Sequence, residues 1–359
     1  MKSKVDIVFL AIFFTFLFIP MCHINNEKIS KEENRTLAVV EPLIKDKKIN
    51  FNFTNTVNNW FNDRFFLRKQ FIALHSKIYK IFYLNKKPIM VNGVIFGKED
   101  WLFLGWKASI KSYQNARLLS DKELKEIDEY LKNINDFCIK NNKKFLFVIA
   151  PDKSRIYPEF YNDKIKKKGD YSTAQQLVDY ISEHSKTPSI YLKDTLISKK
   201  GKNLLYFKQD THWNLLGAYW GYLDIANALK IEPYRVKKYE TVENFGDLNG
   251  MLNKSFQIKK SDKYAIPDIS DINTVCETTK PDNITITKCA NSKKELNLLM
   301  YRDSFSLNLI SYLSYSFKNS TYIWKYDIKT QDIENYDVVI LEIVERELPS
   351  LPKKVKGIK

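Results

Sequence analysis

Two short stretches hold the residue types that nucleophilic catalysis needs: Asp210-Thr211-His212-Trp213-Asn214 and Asp303-Ser304-Phe305-Ser306. A serine hydroxyl is a poor nucleophile at neutral pH. It needs an adjacent base to take its proton, and the base needs an acid to orient it. His212 can be that base. Asp210 precedes it by two residues, and in an extended segment residues two apart point to the same side. Asp210 can then hydrogen-bond one imidazole nitrogen and leave the other facing Ser304. A serine at a strand-to-helix turn also has its own backbone N–H near a helix N-terminus, a first donor for an oxyanion hole. The four histidines lie at 23, 75, 184 and 212. Only His212 falls between an expected strand and an expected helix with a carboxylate beside it. Taken singly each motif is weak, because Asp-x-His and Asp-Ser both occur by chance.

Other residues are candidates for substrate contact, each with a structural alternative. Trp213 could stack on a sugar ring or belong to the core. Lys153 could bind an acidic polymer or pin a loop after the first strand. Arg346 could touch substrate or support the last strand end. Glu342 and Glu345 could form a second acid pair or simply end a strand in solvent.

The elements that must position these residues alternate along the chain. Ser120-Asp121-Lys122-Glu123 is a capping box; the helix it opens carries Leu124, Ile127, Leu131, Ile134 and Cys138 on one face. Phe145–Ala150 is a continuous apolar run, as a strand buried in a parallel sheet should be. Ser189–Leu192 and Leu204–Phe207 are expected as strands and Leu215–Leu229 as a buried helix. Leu296–Tyr301 is expected as the strand entering Ser304, and Leu307–Phe317 as the helix leaving it. Thr321–Trp324 and Val338–Ile343 complete the strands. This alternation predicts an α/β domain with a mostly parallel sheet flanked by helices, its sites beyond the carboxyl ends of the strands. Upstream, Trp60, Phe61, Phe65, Leu67, Phe71, Leu74, Ile78 and Phe82 recur at near-helical spacing, and Pro88 ends that stretch. Asn92–Phe103 reads as a turn followed by a short aromatic strand.

The N-terminus sets the expected compartment. Lys2 and Lys4 precede Ile7–Met21, an uncharged and nearly all-apolar stretch, so the segment looks like a secretion signal. Met21 is bulky before Cys22 and no A-x-A site follows, which favours an uncleaved signal anchor over cleavage. The stretch is nonetheless short of the ~20 residues that a full span needs. Lys2 and Lys4 would keep that end in the cytoplasm and put the rest on the extracytoplasmic side. The expected division is an anchor over 1–23, a stem and amphipathic helical segment over 24–90, and the catalytic domain over 91–359.

Composition excludes little beyond disorder. With 359 residues, 44% of them hydrophobic, the chain can bury a sizeable core, and 10 Gly with 11 Pro rule out a fibrous or low-complexity protein. The net charge of +16 could attract nucleic acid, anionic lipid or an acidic polymer. The lysines are mostly scattered, however, and there is no helix-turn-helix, zinc-finger or RNA-binding aromatic motif, so no nucleic-acid partner is expected. Of the four cysteines, Cys138 is expected in the core. Cys276 and Cys289 flank a polar hairpin-like stretch, either as a disulfide in an extracytoplasmic domain or as two thiols. No metal site is expected from their spacing.

Read in order, a longer set of motifs resembles the alginate O-acetyltransferase (AlgX/AlgJ-like) family, whose catalytic domain is a variant of the SGNH-hydrolase fold. The set begins with Glu33-Asn34-Arg35, then Trp60-Phe61-Asn62-Asp63-Arg64-Phe65-Phe66-Leu67-Arg68 and Gly97-Lys98-Glu99-Asp100-Trp101-Leu102-Phe103. It continues with Ile149-Ala150-Pro151-Asp152-Lys153, Tyr157-Pro158-Glu159, Asp210 to Asn214, Gly217-Ala218 and Gly246-Asp247-Leu248. Arg302-Asp303-Ser304-Phe305 and Glu345-Arg346 close it. The resemblance implies Asp210 as acid, His212 as base and Ser304 as nucleophile, with the Asp/His pair preceding the serine. It implies acetyl transfer to a cell-surface or extracellular polysaccharide through an acetyl-serine. The acetyl donor would be supplied by a membrane-bound O-acyltransferase partner at the inner membrane, with no metal or tightly bound cofactor. A polysaccharide acetyl esterase with the same triad, or a non-catalytic glycan-binding subunit of an export assembly, are the alternatives. Many members have Gly-Asp-Ser where this chain has Arg302-Asp303-Ser304, so Arg302 either shapes the turn or touches substrate. The second oxyanion donor is not identifiable, and too little chain follows Arg346 for the carbohydrate-binding domain that some members carry.

Overall fold

The computed structural model describes residues 4–19, 22, 24–30, 35–45, 48–82, 89–252, 256–291 and 293–355. Lys2, Met21, His23, Glu33, Asn34 and Pro88, and the side chains of His75 and Phe82, lie outside what is described. The chain divides into two compact units, Met1–Gly93 with Asn249–Gln257, and Val94–Leu248 with Ile258–Lys359.

The first unit holds α1 (Lys4–Phe18), α2 (Phe53–Arg64) and α3 (Arg68–Phe82). The expectation of an anchor finds no support: among the described residues no helix is long and apolar enough to cross a membrane. α1 is apolar but has 15 residues, or roughly 22 Å at 1.5 Å per residue against a hydrocarbon core of about 30 Å. The helical spacing expected from Trp60 to Phe82 is real but interrupted. Arg64 is buried, and its guanidinium donates to the carbonyls of Asn25 and Ala38, both at 3.1 Å, and of Glu27. That clamp ends α2, and the chain turns through Leu67 at φ +63° before α3 begins.

The strands of the second unit are, in chain order, β1 (Val94–Phe96), β2 (Leu102–Leu104), β3 (Lys144–Ala150), β4 (Ser189–Tyr191), β5 (Tyr239–Asn244), β6 (Asp262–Pro267), β7 (Val275–Thr279), β8 (Ile286–Ala290), β9 (Asn297–Tyr301), β10 (Asn319–Ile323) and β11 (Val338–Val344). Its longer helices are α4 (Lys107–Gln114), α5 (Asp121–Lys140), α6 (Thr173–Glu183), α7 (Leu215–Leu229) and α8 (Ile310–Ser316). Where a turn and one short aromatic strand were expected, β1 and β2 pair as an antiparallel hairpin, and β5 and β6 form a two-stranded ribbon.

The main sheet has the order β7-β8-β10-β9-β11-β3-β4. β10, β9, β11, β3 and β4 run parallel. The sheet is mixed rather than mostly parallel throughout, because the hairpin β7–β8 adds antiparallel to the edge of β10. A short connection can join only antiparallel strands. In that hairpin Cys276 lies opposite Cys289, and the two are joined as a disulfide.

Strand alternation sends side chains to two cores. Leu146, Val148 and Ala150 of β3, with Leu298, Met300, Val338, Ile340 and Val344, meet α7, α8 and the β1–β2 hairpin. Phe145, Phe147 and Ile149, with Leu299, Val339, Leu341 and Ile343, meet α5 and α6. The capping box holds α5 as expected: Ser120 accepts from Glu123 N, and Glu123 accepts from Ser120 N. All five apolar residues expected on the inner face of α5 are buried.

Two expectations near the site fail. Leu204–Phe207 is not a strand and makes only an isolated bridge between Tyr206 and Trp213. Its backbone groups bond within the loop layer instead, Leu205 N–H to Tyr157 Oη and the Phe207 carbonyl to Lys153 Nζ. The segment after Ser304 starts as a tight 3₁₀ turn (Phe305–Asn308) and becomes α8 only at Ile310.

Candidate active site

Ser304 stands just past the carboxyl end of β9, between the neighbouring strand ends of β10 and β11. His212 comes from the loop before α7. Asn214 caps that helix, accepting from Leu216 N at 2.9 Å and Gly217 N at 3.0 Å while its Nδ2 donates to the Leu204 carbonyl at 2.6 Å. Gly217 is required there, because a Cβ would fall 2.3 Å from the Leu205 carbonyl oxygen. The motif residues flanking His212 therefore lock its loop against the start of α7.

The three residues meet although 92 positions separate His212 from Ser304. His212 Nε2 lies 2.8 Å from Ser304 Oγ, and His212 Nδ1 lies 2.8 Å from Asp210 Oδ1. Asp210 Oδ1 also accepts from the backbone N–H of His212 at 2.9 Å. Burial alone would raise the Asp210 carboxyl, but hydrogen bonds and charge from His212 hold it down to about 2. It is thus an ionised acceptor that fixes the imidazole with Nε2 toward the serine.

A second carboxylate supports the first. Asp247 N–H donates to Asp210 Oδ2 at 2.9 Å, and Asp247 Oδ1 accepts from Thr211 N at 2.7 Å and from Thr211 Oγ1 at 3.2 Å. Asp247 Oδ2 lies 3.8 Å from His212 Nδ1. Burial first, and then the charge of Asp210, push the Asp247 carboxyl up. The preceding turn presses directly on the motif: Gly246 has φ +64°, and a Cβ there would lie 2.0 Å from the Gln209 carbonyl oxygen. Sequence reading gave Gly246-Asp247-Leu248 no role. Nothing in its spacing signals one, since it meets the Asp210 loop only through the fold. Asp210, His212 and Asp247 each place a possible ligand atom within 4.8 Å of the others, so among the described residues they are the ones that could hold a metal. In this arrangement Asp210 Oδ1 and His212 Nδ1 bond each other, and Asp247 Oδ1 is spent on Thr211.

The turn carrying Ser304 is held from below. Asp303 Oδ1 accepts from Phe305 N at 2.8 Å, and Oδ2 accepts from Val344 N at 2.8 Å and Tyr326 Oη at 3.0 Å. Glu342 is wholly buried, and its Oε2 accepts from Ser306 Oγ at 2.6 Å and Asp303 N at 3.2 Å. Burial, followed by the nearby Asp303 charge, raises the Glu342 carboxyl well above the usual range. Arg302 lies beneath the turn, 1% exposed, donating to the Asp303 carbonyl at 3.0 Å with its guanidinium 5.0 Å from the Trp324 ring. It shapes the turn and does not reach solvent.

The remaining candidates are also structural. Trp213 is fully buried, donates from Nε1 to the Phe305 carbonyl at 2.8 Å and packs edge-on against Phe305. It cannot stack on a sugar. Lys153 is 3% exposed, and its Nζ donates to the carbonyls of Phe207 and Lys208 at 3.0 Å and of Asp210. It pins the loop leading to the motif instead of binding a polymer, and burial lowers its ammonium to about 7. Arg346 is 9% exposed, ion-paired with Asp152, and lies 5.1 Å from the Phe305 ring. Glu345 accepts from Arg155 Nε at 3.2 Å and from Tyr191 Oη. It does not pair with Glu342, and neither residue is solvated.

Comparison with known proteins follows the same lines. The family model described as SGNH hydrolase-like domain, acetyltransferase AlgX, matches residues 94–292, a span that includes Asp210 and His212 and stops short of Ser304. The probable alginate O-acetylase AlgJ of Pseudomonas syringae pv. tomato is 21% identical over 217 residues, or 57% of this chain. The chain spans about half the length of that curated relative, 51%. The structure of Bacillus cereus PatB1 with a sulfonyl adduct is similar in fold, with a TM-score of 0.50 and 17% identity over 73% of this chain and 100% of PatB1. The O-acetyltransferase domain of Pseudomonas putida AlgJ has a TM-score of 0.43 and 15% identity over 72% of this chain and 92% of that one.

Proposed function

That this chain belongs to the SGNH hydrolase-like acetyltransferase AlgX family is the premise from which we propose that it is a serine-dependent polysaccharide O-acetyltransferase. The observation that carries the mechanism is the hydrogen-bonded line Asp210–His212–Ser304, at 2.8 Å on each side of the imidazole. His212 Nε2 takes the Ser304 proton as Oγ attacks the carbonyl carbon of an acetyl donor. The tetrahedral oxyanion collapses, the leaving group departs with the proton from His212, and acetyl-serine remains. A sugar hydroxyl then attacks that ester, giving its proton to His212. Collapse returns the proton to Ser304 Oγ and releases the acetylated glycan. Asp210 stays ionised and holds the imidazole throughout. The Ser304 N–H, at the head of the 3₁₀ turn, is the first oxyanion donor in this reading.

The acceptor is a hydroxyl of a cell-surface or extracellular polysaccharide, and a membrane-bound O-acyltransferase partner is the donor. An extracytoplasmic location goes with the Cys276–Cys289 disulfide, since such bonds persist in oxidising compartments. The test uses the full chain with a chromogenic acetyl ester. Ser304→Ala and His212→Ala are each expected to lower turnover by about 10³-fold or more, and mass spectrometry is expected to find acetylated Ser304 in the wild type. A Ser304→Ala protein as active as wild type would sink the mechanism. Turnover to free acetate that no glycan acceptor diverts would make the protein an esterase.

A further inference from the structure

Arg302 is buried without an acid to pair with. Its Nε has no hydrogen-bond partner, and among the described residues it forms no ion pair. A buried cation held in this way costs stability, so the one group it does bind is informative. Nη1 donates to the Asp303 carbonyl at 3.0 Å, and the guanidinium lies 5.0 Å from the Trp324 ring. The backbone behind it is fixed as well. Arg302 N–H donates to the Ile323 carbonyl at 2.9 Å, continuing the β9–β10 ladder past its last pair.

The Asp303 carbonyl and the Ser304 N–H belong to one peptide unit. That unit is planar and trans, so the two groups point in opposite directions. A donor that fixes the carbonyl therefore also aims the N–H. Drawing electron density toward the carbonyl oxygen makes the N–H a stronger donor, more so when the pull comes from a cation in a dry site.

The neighbouring N–H groups are already spent. Asp303 N–H donates to Glu342 Oε2 at 3.2 Å, and Phe305 N–H donates to Asp303 Oδ1 at 2.8 Å. Ser304 N–H stands between them and donates to no protein atom among the described residues. It is left for a substrate oxygen.

From this geometry we propose that Arg302 is a positioning residue for the oxyanion: through the Asp303–Ser304 peptide it aims and strengthens the Ser304 N–H that receives the charge of the tetrahedral intermediate. The proposal rests on the acetyl-transfer reading above and adds no step to it. As Ser304 Oγ bonds to the acetyl carbon, the carbonyl π pair moves onto oxygen and the Ser304 N–H bond to it tightens. On collapse the pair returns. Arg302 transfers no proton and touches no substrate.

The experiment compares, on the full chain, a chromogenic acetyl ester with its thiono counterpart, in which sulfur replaces the carbonyl oxygen. Sulfur accepts hydrogen bonds weakly, so the thiono ester draws little from an oxyanion donor. Arg302→Met keeps an unbranched apolar stem and removes both charge and donor. It is expected to lower kcat for the oxygen ester about tenfold, less than the loss of a whole oxyanion donor, with KM changing little. The thiono ester is expected to slow by no more than about twofold, so the oxygen-to-sulfur rate ratio falls about fivefold. Arg302→Gln keeps a neutral donor, and its ratio is expected to lie between those of Arg302→Met and the wild type. It also serves as the second variant where Arg302→Met does not fold. A ratio that stays at the wild-type value in these variants would overturn the proposal, whether both rates fall together, as a purely structural role requires, or neither moves. Such a result in an enzyme whose turnover is lost in Ser304→Ala sinks the role of Arg302 alone. No turnover by the wild type sinks the catalytic reading, and this proposal with it.

Discussion

At the scale of single residues, the site is a chain of acceptors and donors whose order fixes the imidazole. Asp210 accepts from both His212 Nδ1 and the His212 backbone, while its second oxygen takes the Asp247 N–H. Asp247 in turn holds Thr211. Asp247 touches neither Ser304 nor, in the proposed reaction, the substrate, so it is a positioning residue. Asp247→Asn keeps the side chain's size but turns one acceptor oxygen into a donor, against a Thr211 N–H that already donates. It is expected to lower kcat for the chromogenic ester by about tenfold, KM changing little, because geometry in the reacting state is lost and binding is not. Asp247→Glu should recover part of that loss. A KM effect with kcat intact would contradict the role.

Lys153 shows how one element can support the loop that carries His212. Its short helix follows β3, and its ammonium is buried against the carbonyls of Phe207, Lys208 and Asp210, with the Trp101 and Phe103 rings 5.6 and 5.1 Å away. Burial lowers the folded value to about 7 from 10.5. Between those two values the unfolded chain binds the proton and the folded one does not. Stability from this group therefore rises with pH from about 7 to about 10. Below 7 both states are protonated and the full cost of burying the charge is present. Urea melts of Lys153→Met across this window are expected to lack that rise, while kcat falls because the Asp210 carbonyl loses its donor. Parallel pH–stability curves for variant and wild type would show that Lys153 titrates as it does in water.

For the whole molecule, the disulfide and the two units set what can be checked without the reaction. Cys276–Cys289 ties the outer hairpin of the sheet to itself, whereas Cys22 and Cys138 are free. Alkylation of denatured protein before reduction is expected to label two cysteines, and four after reduction. Four labelled at the outset would place the protein in a reducing compartment and remove the support for an extracytoplasmic location. Opening the bond with Cys276→Ser and Cys289→Ser is expected to cost about 2–3 kcal/mol for a loop of this size, measured by urea unfolding.

The sequence by itself determined the elements whose signal is local. A six-residue apolar run, a capping box and a helix with an apolar face each depend on neighbours within one or two turns, so β3, α5 and α7 could be read directly. It also named the three residues that the fold brings into one hydrogen-bonded line: chemistry marked Asp210, His212 and Ser304 as candidates, and the ordered set of motifs shared with a known family singled them out. Leu204–Phe207 looked like a strand because apolar content is local, and its hydrogen-bond partners are not. The same reason accounts for Trp213, Arg302, Lys153 and Arg346, whose residue types left substrate contact and structural support both open and which turned out buried. Each is held by a group whose identity depends on through-space packing: Phe305 for Trp213, the Asp303 carbonyl and the Trp324 ring for Arg302, Asp210 for Lys153, Asp152 for Arg346. Asp247 was invisible as a supporting acid because its link to Asp210 exists only once Gly246 has turned the chain back onto Gln209. Only the tertiary structure decides whether a polar side chain faces water or a buried partner, since that choice depends on desolvation and pairing across the fold and not on its neighbours in the chain.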